Sequence, residues 1–273
     1  MSDILAKFNL KGRTALVTGG AGLLGREFCR TLAQAGAQVV IADLNVSSAQ
    51  AYAKDLKNEG LTVFPVSVDV KDSESVQSML QMTLTTFQRL DILVNSAAMD
   101  PKFDNSQQNK HPSRFEDYPL ASWKQALDVN LTGMFLCCQA AARQMLVQKS
   151  GSIVNICSTY GLVGPDQRIY RLPGKAMQYK PAFYSATKAG ALGLTRYLAT
   201  YFAGQNIRVN ALTPGGVYNN HEDAFVQNYS AHTVLGRMAQ PDEMNGALLF
   251  LASEASSYMT GANLIVDGGW TSW

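Results

Sequence analysis

The 273-residue sequence predicts an α/β fold, a single-domain doubly wound parallel sheet of about seven strands with helices on both faces. Three observations support this fold class. Short runs rich in β-branched residues alternate with segments of helical periodicity. Most of these runs are apolar without alternation, as expected for strands that are buried on both faces. A glycine-rich loop also follows the first run, where sheets of this type bind their ligands.

The seven runs follow one another along the whole chain, at residues 13–18, 37–43, 62–69, 90–95, 151–157, 207–212 and 262–268. The segments between them provide the helices for right-handed crossovers. Neither an internal repeat nor a linker rich in proline or serine interrupts this order. We therefore expect residues 1–273 to form one domain.

Two polar segments, residues 99–120 and 165–181, break the regular alternation with proline and glycine. Each follows a predicted strand at its carboxyl end, which is the edge where open α/β sheets bind ligands. We expect both segments to be rim loops. Residues 165–181 are interpreted as an inserted substrate lid.

The composition excludes several classes of function. The 23 basic and 21 acidic residues give a net charge of +2 without a long run of one sign, so neither a nucleic acid nor an anionic membrane is an expected partner. The longest apolar stretch, residues 131–147, is interrupted by polar side chains and predicts a buried helix. The first residues lack the cationic start and apolar core of a secretory signal, so we expect a cytoplasmic protein.

Cysteine and histidine spacing indicates neither a disulfide framework nor a metal site. The four cysteines lack C-x-x-C spacing and stand in apolar surroundings, so we expect buried reduced thiols. The three histidines lack metal-ligand spacing, and no metal is predicted. His221, which follows Asn219 and Asn220, is a candidate substrate contact.

The loop after the first run reads Thr-Gly-Gly-Ala-Gly-Leu-Leu-Gly over residues 18–25 and leads into a helical segment. Glycines at such a turn let the backbone approach a pyrophosphate, whose charge the free amides at a helix N-terminus stabilise. This setting predicts a Rossmann-type dinucleotide site. The expected contacts are Gly19, Gly22, Leu23, Leu24 and Gly25.

Asp43 ends the second predicted strand, 18 residues after Gly25, near the spacing of about 20 that is expected for a ribose-binding acid. A carboxylate here accepts hydrogen bonds from the ribose hydroxyls and repels a 2′-phosphate. Leu44 and Asn45 add no cation. NAD is therefore favoured over NADP. The alternative is that Asp43 only caps the next helix.

Tyr184 and Lys188 are four positions apart in a segment of helical character, which places both side chains on one helix face. A phenol with a pKa of about 10 is a poor base at neutral pH. An adjacent ammonium stabilises the phenolate and lowers that pKa. The pair is therefore a candidate for acid and base catalysis.

Further motifs accompany the glycine loop and the Tyr-x-x-x-Lys pattern: Asp69-Val70, Asn95-Ser96-Ala97-Ala98, Asn130, Ser158, Pro214-Gly215 and Asp267-Gly268-Gly269. In this order and spacing they are highly specific. Over essentially its whole length the chain resembles the short-chain dehydrogenase/reductase family. The resemblance implies an NAD(P)-dependent oxidoreductase that interconverts a secondary alcohol and a ketone.

The resemblance also implies roles for individual residues. Tyr184 would remove the hydroxyl proton in oxidation and return it in reduction. Lys188 would lower the tyrosine pKa and hold the nicotinamide ribose. Ser158 would hydrogen-bond the substrate oxygen, and Asn130 would bind a water that relays the proton.

The remaining implied roles concern the cofactor. Asp69 and Val70 would contact the adenine, and residues 95–97 would line the adenosine side, with Asn95 also steadying the central strand. The nicotinamide end would meet Pro214, Gly215, Val217 and Asn219, of which Asn219 stands near a position where the family often has threonine. A homotetramer is implied as well, packed through the helices of Asn130 and Tyr184 and eased by small residues, namely Ala189, Gly190, Ala191 and Gly193.

One departure from the family pattern leaves alternatives open. Residues 18–25 have T-G-x-x-G-x-x-G spacing, which is common in longer members that act on sugar nucleotides as epimerases or dehydratases. An NAD-dependent sugar isomerase or dehydratase is therefore one alternative, and a non-catalytic dinucleotide sensor is another. The complete Ser158, Tyr184 and Lys188 set favours the dehydrogenase.

The substrate prediction depends on the 26 positions between Ser158 and Tyr184, roughly twice the separation usual in similar enzymes. The excess is attributed to residues 165–181, which carry four cations against one acid, Asp166: Arg168, Arg171, Lys175 and Lys180. Such cations bind phosphate or carboxylate groups. We expect a polar or anionic sugar-like substrate held by Arg168 and Arg171. The alternative is a solvated lid surface.

Overall fold

The computed structural model describes residues 3–100 and 114–273. The strands in this part of the chain are β1 (Thr14–Thr18), β2 (Gln38–Asp43), β3 (Val63–Ser67), β4 (Ile92–Asn95), β5 (Gly151–Ile156), β6 (Ile207–Pro214) and β7 (Asn263–Val266). They form one sheet in the order β3-β2-β1-β4-β5-β6-β7, and all neighbouring pairs are parallel. The predicted doubly wound parallel sheet is confirmed.

Helices connect the strands on both faces of the sheet. Their bounds are α1 (Leu23–Gln34), α2 (Val46–Asn58), α3 (Ser73–Phe87), α4 (Leu120–Leu127), α5 (Gly133–Gln148), α6 (Ala182–Tyr201), α7 (Asp223–Ser230) and α8 (Asn245–Ala252). A π-helical turn, Asp128–Thr132, joins α4 to α5. Among the described helices, none combines the length and the apolar character that crossing a membrane requires.

The strands are apolar without alternation because each side of the sheet is covered. On β1, Leu16 packs into a core with α3, α5 and α6, whereas its neighbours Ala15 and Val17 pack into a second core with α1, α2 and α8. Successive side chains of a strand point to opposite faces, so both sets are removed from water. The four cysteines are buried free thiols, as predicted.

The strand order reverses between β1 and β4, which creates a crevice at their carboxyl ends. Thr18 and Asn95 are register partners there. The Thr18 hydroxyl oxygen accepts hydrogen bonds from the backbone N–H groups of Ser96 and Ala97, both at 3.3 Å. The glycine loop and the segment after β4 therefore lie on the two sides of one crevice.

Residues 165–181 form a folded cover with a short 3₁₀ turn, Gln167–Tyr170. The Gln167 amide joins the two ends of the cover, because it accepts from the Lys180 N–H at 2.8 Å and donates to the Lys180 carbonyl at 3.1 Å. Ile169 and Tyr170, both within the cover, have buried side chains. Of the other predicted rim loop, residues 101–113 lie outside the described part of the chain.

Candidate active site

The glycine loop is too tightly folded to carry side chains at two of its positions. Gly19 has a φ of +65°, and a Cβ added there would stand 2.8 Å from the Cα of Ala97. A Cβ added at Gly25 would stand 2.0 Å from the carbonyl oxygen of Gly19. These contacts explain the glycines in physical terms, because the loop packs backbone against backbone at the mouth of the crevice.

The N-terminus of α1 differs from those of the next two helices. Its N-cap is Gly22, which offers no side-chain acceptor, and its first turn has no acidic residue. In contrast, Asn45 caps α2 and Asp72 caps α3 through their side chains. Uncapped amides at a helix N-terminus are suited to a phosphate. The loop over Gly22, Leu23, Leu24 and Gly25 therefore fits the pyrophosphate of a dinucleotide.

Asp43 ends β2 beside this loop. One carboxylate oxygen accepts from the Ala21 N–H at 3.0 Å and the other from the Asn45 N–H at 2.9 Å. The cap of α2 is Asn45, whose side chain accepts from the Ser48 N–H. The alternative that Asp43 serves as the helix cap is therefore wrong. Leu44 next to it is exposed.

The other predicted adenosine contacts follow β3 and β4. Asp69 forms an ion pair with Lys71 at 2.9 Å. Val70 is buried, and a Cβ added at Gly133 of α5 would stand 2.7 Å from its side chain. The Asn95 amide donates to the Asn155 side-chain oxygen at 2.9 Å, which ties β4 to β5.

The predicted nicotinamide contacts lie after β6. Pro214 is its last residue, and a Cβ added at Gly215 would stand 2.8 Å from the Cα of Asp267. Val217 forms an isolated parallel bridge with Ala239. Asn219 is exposed, and its backbone N–H donates to Nδ1 of His221 at 3.1 Å.

Ser158, Tyr184 and Lys188 converge at the carboxyl end of β5. Ser158 follows this strand and is 8% exposed, while Tyr184 and Lys188 lie one turn apart on α6. The Lys188 ammonium is 5% exposed and donates to the carbonyl of Ile156, the last residue of β5, at 2.8 Å. The Ser158 hydroxyl oxygen accepts from the Tyr160 N–H at 3.2 Å, and Ser158 lowers the pKa of Tyr184.

Burial and neighbouring charges shift the pKa of the Tyr184 phenol. Burial raises the pKa of this phenol, the charge of Asp100 raises it further, and the polar side chain of Ser158 lowers it. Burial lowers the pKa of Lys188, while Cys157 and Asp100 oppose that shift. The Lys188 ammonium lies 5.7 Å from the centroid of the Tyr184 ring. Its predicted effect on the phenol remains a prediction.

Asn130 lies in the π-helical turn and is 2% exposed. Its side-chain oxygen accepts from the Met99 N–H at 2.6 Å, and its amide donates to the Met99 carbonyl at 3.1 Å. The amide also approaches the Thr187 hydroxyl at 3.4 Å. The side chain therefore fastens the segment after β4 to α6. The predicted water relay remains a prediction.

Lys180 is the cation of the cover that lies beside the tyrosine, a role that the sequence did not reveal. It is 9% exposed, its ammonium lies 4.1 Å from the Tyr184 ring centroid, and it forms an ion pair with Asp100. No helical spacing relates it to Tyr184, because α6 begins only at Ala182.

The two cations that the sequence favoured for substrate binding are oriented differently. The Arg168 side chain is 86% exposed and forms an ion pair with Asp166 at 2.7 Å. Arg171 is exposed as well. In the structure these guanidinium groups belong to the outer surface of the cover, whereas Lys180 belongs to its inner side.

His221 lies at the rim of the same site. Its ring stacks on Phe225 with 5.1 Å between centroids. Burial lowers the pKa of His221, Asp100 raises it, and Lys180 lowers it. The imidazole therefore lies within electrostatic reach of the Lys180–Asp100 pair and is neutral at pH 7.

Known proteins are similar to this chain in sequence and in fold. A family model described as enoyl-(acyl carrier protein) reductase matches residues 20–271. The cis-4-hydroxycyclohexanecarboxylate dehydrogenase of Sinomonas cyclohexanicum is 35% identical over 95% of this chain and 96% of that protein. The D-threitol dehydrogenase of Mycolicibacterium smegmatis is 34% identical over 97% of this chain and 95% of that protein. A solved gluconate 5-dehydrogenase from Burkholderia cenocepacia, in complex with NADP and tartrate, has a TM-score of 0.87 at 32% identity, covering 99% of this chain and 100% of that one.

The doubly wound sheet, its phosphate loop and the serine, tyrosine and lysine beside it define a dinucleotide-dependent oxidoreductase. The chain belongs to the short-chain dehydrogenase/reductase family, whose members use NAD or NADP.

Proposed function

We propose that this enzyme interconverts a secondary alcohol and a ketone on a polar, sugar-like substrate, and that it prefers NAD. The convergence of Ser158, Tyr184 and Lys188 at the carboxyl end of β5 carries this proposal. All three side chains lie at the sheet edge that also holds the glycine loop. A carbinol bound there would be adjacent to a nicotinamide ring.

The chemistry divides between the cofactor and the protein. When bound, the nicotinamide supplies a hydride acceptor for oxidation and a hydride donor for reduction. The Tyr184 phenolate takes the hydroxyl proton during oxidation and the phenol returns it during reduction. Ser158 hydrogen-bonds the substrate oxygen and lowers the pKa of Tyr184. Lys188 provides ammonium N–H groups to the ribose side.

Asp43 supports the preference for NAD. Its carboxylate lies at the end of β2 and keeps acceptor capacity for ribose hydroxyls beyond the two backbone N–H groups that it binds. A 2′-phosphate at this place would meet a negative charge. The gluconate 5-dehydrogenase neighbour was solved with NADP, so the two cofactors must be compared directly in this enzyme.

The polar side chains around Tyr184 support a polar substrate. Lys180 lies over the Tyr184 ring and pairs with Asp100, and His221 lies within electrostatic reach of that pair. The names of the three relatives denote a polyol, an aldonic acid and a cyclic hydroxy acid as their substrates. The charged pair of Lys180 and Asp100 beside Tyr184 suits a polar substrate better than a fatty-acyl chain.

The decisive experiment measures NAD and NADP reduction with polyols, aldonates and cyclic hydroxy acids. Tyr184→Phe should lower kcat by about 10²- to 10⁴-fold, as expected for loss of a general acid and base. Tyr258→Phe removes a fully exposed hydroxyl and is the control. Retained turnover in Tyr184→Phe would show the assignment to be wrong.

The same experiment separates the two alternative functions. A sugar isomerase or dehydratase would retain its dinucleotide through purification and show no net reduction of added NAD. A non-catalytic sensor would bind the dinucleotide and turn over no alcohol. The convergence of Ser158, Tyr184 and Lys188 at the end of β5 favours proton transfer, which a sensor does not need.

We also propose a homotetramer that packs through α5 and α6. Large apolar side chains point outward from these helices, including Phe135, Val147, Tyr197 and Tyr201. Ala189 and Gly193 face outward too, whereas Ala191 is fully buried in the protomer core and cannot contribute to the contact as predicted. Light scattering of Tyr197→Glu should show dissociation.

A further inference from the structure

The ion pair above Tyr184 joins a buried cation to an exposed acid. The Lys180 side chain is 8% exposed, whereas the Asp100 side chain is 56% exposed. An exposed carboxylate can exchange its partner for water at little cost, but a buried ammonium cannot. The lysine is therefore the fixed member of the pair, and the aspartate is the exchangeable one.

The backbone of Lys180 is held from both sides. Its N–H donates to the Gln167 side chain and its carbonyl accepts from the same amide. The next residue, Pro181, is the N-cap of α6, and Tyr184 follows in the first turn. The ammonium is consequently fixed relative to the phenol, at 4.1 Å from the ring centroid.

We propose that Lys180 binds the carboxylate of a hydroxy acid substrate, and that this carboxylate takes the place of Asp100. The inference rests on the proposed function, because it assumes that the reacting carbinol lies at Ser158 and Tyr184. With its ammonium over the tyrosine ring, Lys180 reaches a group only a few bonds from that carbinol.

Charge balance favours a carboxylate as the incoming group. When Asp100 moves away, the buried ammonium needs a new negative partner, which a neutral hydroxyl does not provide. One carboxylate replaces another without changing the net charge of the site. His221, the neighbouring titratable group on the α7 side, has a lowered pKa and adds no second cation for a phosphate dianion at neutral pH. Lys188 is engaged at the end of β5.

Matched substrates test the inference. In each of three pairs, the neutral alcohol has a CH₂OH group where the acid has a carboxylate. The pairs are D-glucitol and gluconate, D-threitol and threonate, and 4-(hydroxymethyl)cyclohexanol and 4-hydroxycyclohexanecarboxylate. The parent enzyme should have the higher kcat/KM for the acid of at least one pair. Lys180→Met should raise KM for that acid by about 10- to 100-fold, the size expected for loss of a charge-assisted hydrogen bond. The KM of the neutral partner should stay nearly unchanged.

Asp100→Asn provides a second variant that keeps the buried lysine. Removal of the competing carboxylate should lower KM for the acid several-fold. The neutral partner controls for the change in tyrosine pKa, which affects both substrates alike. Lys57→Gln removes one charge from the exposed surface of α2 and should leave both KM values unchanged.

Three results would overturn the inference while the proposed function stands. In the first, the parent enzyme oxidises neutral alcohols but has no higher kcat/KM for any acid than for its matched alcohol. In the second, Lys180→Met raises KM equally for the acid and the alcohol. In the third, Asp100→Asn raises the KM of the acid. Failure of the proposed function looks different, because no alcohol of the panel would then be oxidised or Tyr184→Phe would remain active.

Discussion

The side chain of Asn130 holds the main chain of Met99 through two hydrogen bonds, one to its N–H at 2.6 Å and one to its carbonyl at 3.1 Å. Met99 directly precedes Asp100, the partner of Lys180. The π-helical turn that carries Asn130 therefore determines where the acid next to the tyrosine lies.

Asn130→Ala should lower both stability and activity. Loss of the amide leaves the Met99 N–H and carbonyl without these partners in a partly buried place, which should reduce the free energy of unfolding by about 1 kcal/mol. Urea denaturation measures this change, and steady-state assays should show a lower kcat. Gln81→Ala, on the exposed face of α3, is the control. An unchanged unfolding midpoint in Asn130→Ala would contradict the structural role.

Gly25→Ala should abolish dinucleotide binding. The added methyl group would stand 2.0 Å from the Gly19 carbonyl oxygen, so the phosphate loop must open. Fluorescence titration with NADH should show a loss of affinity of at least about 100-fold, as expected for a displaced phosphate-binding loop. Gly246→Ala lies in the first turn of α8 with open space around the added atom and should bind NADH normally. Normal affinity in Gly25→Ala would be inconsistent with the loop geometry.

The pH profile of oxidation should shift in opposite directions in two variants. Oxidation requires the Tyr184 phenolate, so its rate rises with pH through the pKa of Tyr184, whereas reduction falls. Asp100 raises this pKa, so Asp100→Asn should move the oxidation curve to lower pH. Ser158 lowers it, so Ser158→Ala should move the remaining activity to higher pH. Asp55→Asn, on the surface of α2, should leave the curve in place.

Asp43→Ser should reverse the cofactor preference. The parent enzyme should have the higher kcat/KM with NAD, because the carboxylate accepts ribose hydroxyls and repels the 2′-phosphate. The serine variant should lose roughly 10-fold or more with NAD, the effect of one charge-assisted hydrogen bond, and gain with NADP. Asp55→Ser is the control. A parent enzyme that favours NADP would refute the assignment for Asp43.

The fold could be predicted because its signals are local. Each strand is a short run of apolar residues with both faces buried, and the predicted bounds differ from the observed ones by at most a few residues, as for residues 62–69 and Val63–Ser67. The spacing of the glycine loop is also a local pattern, contained within residues 18–25, although Gly19 packs against Ala97 after β4.

The cation beside the tyrosine could not be identified from the sequence. Its partner Asp100 lies 80 positions away, and nothing local distinguishes Lys180 from Arg168 on the same segment. The two side chains differ in burial, which only the fold determines. Lys180 points inward to Asp100, whereas Arg168 points outward and pairs with Asp166. The π-helical turn at Asp128–Thr132 was also missed, since one extra residue per turn barely alters an apolar periodicity.

The two hydrogen bonds between the Gln167 amide and the Lys180 main chain close the intervening cover into a loop and fix the positions of its two ends. Its tip can be exchanged for another peptide while both anchor points stay where they are. The exposed tip at Pro173 and Gly174 is thus a ready site for engineering new selectivity, whereas Tyr170 must stay, because its hydroxyl donates to that of Tyr160, which packs edge-on against Tyr184.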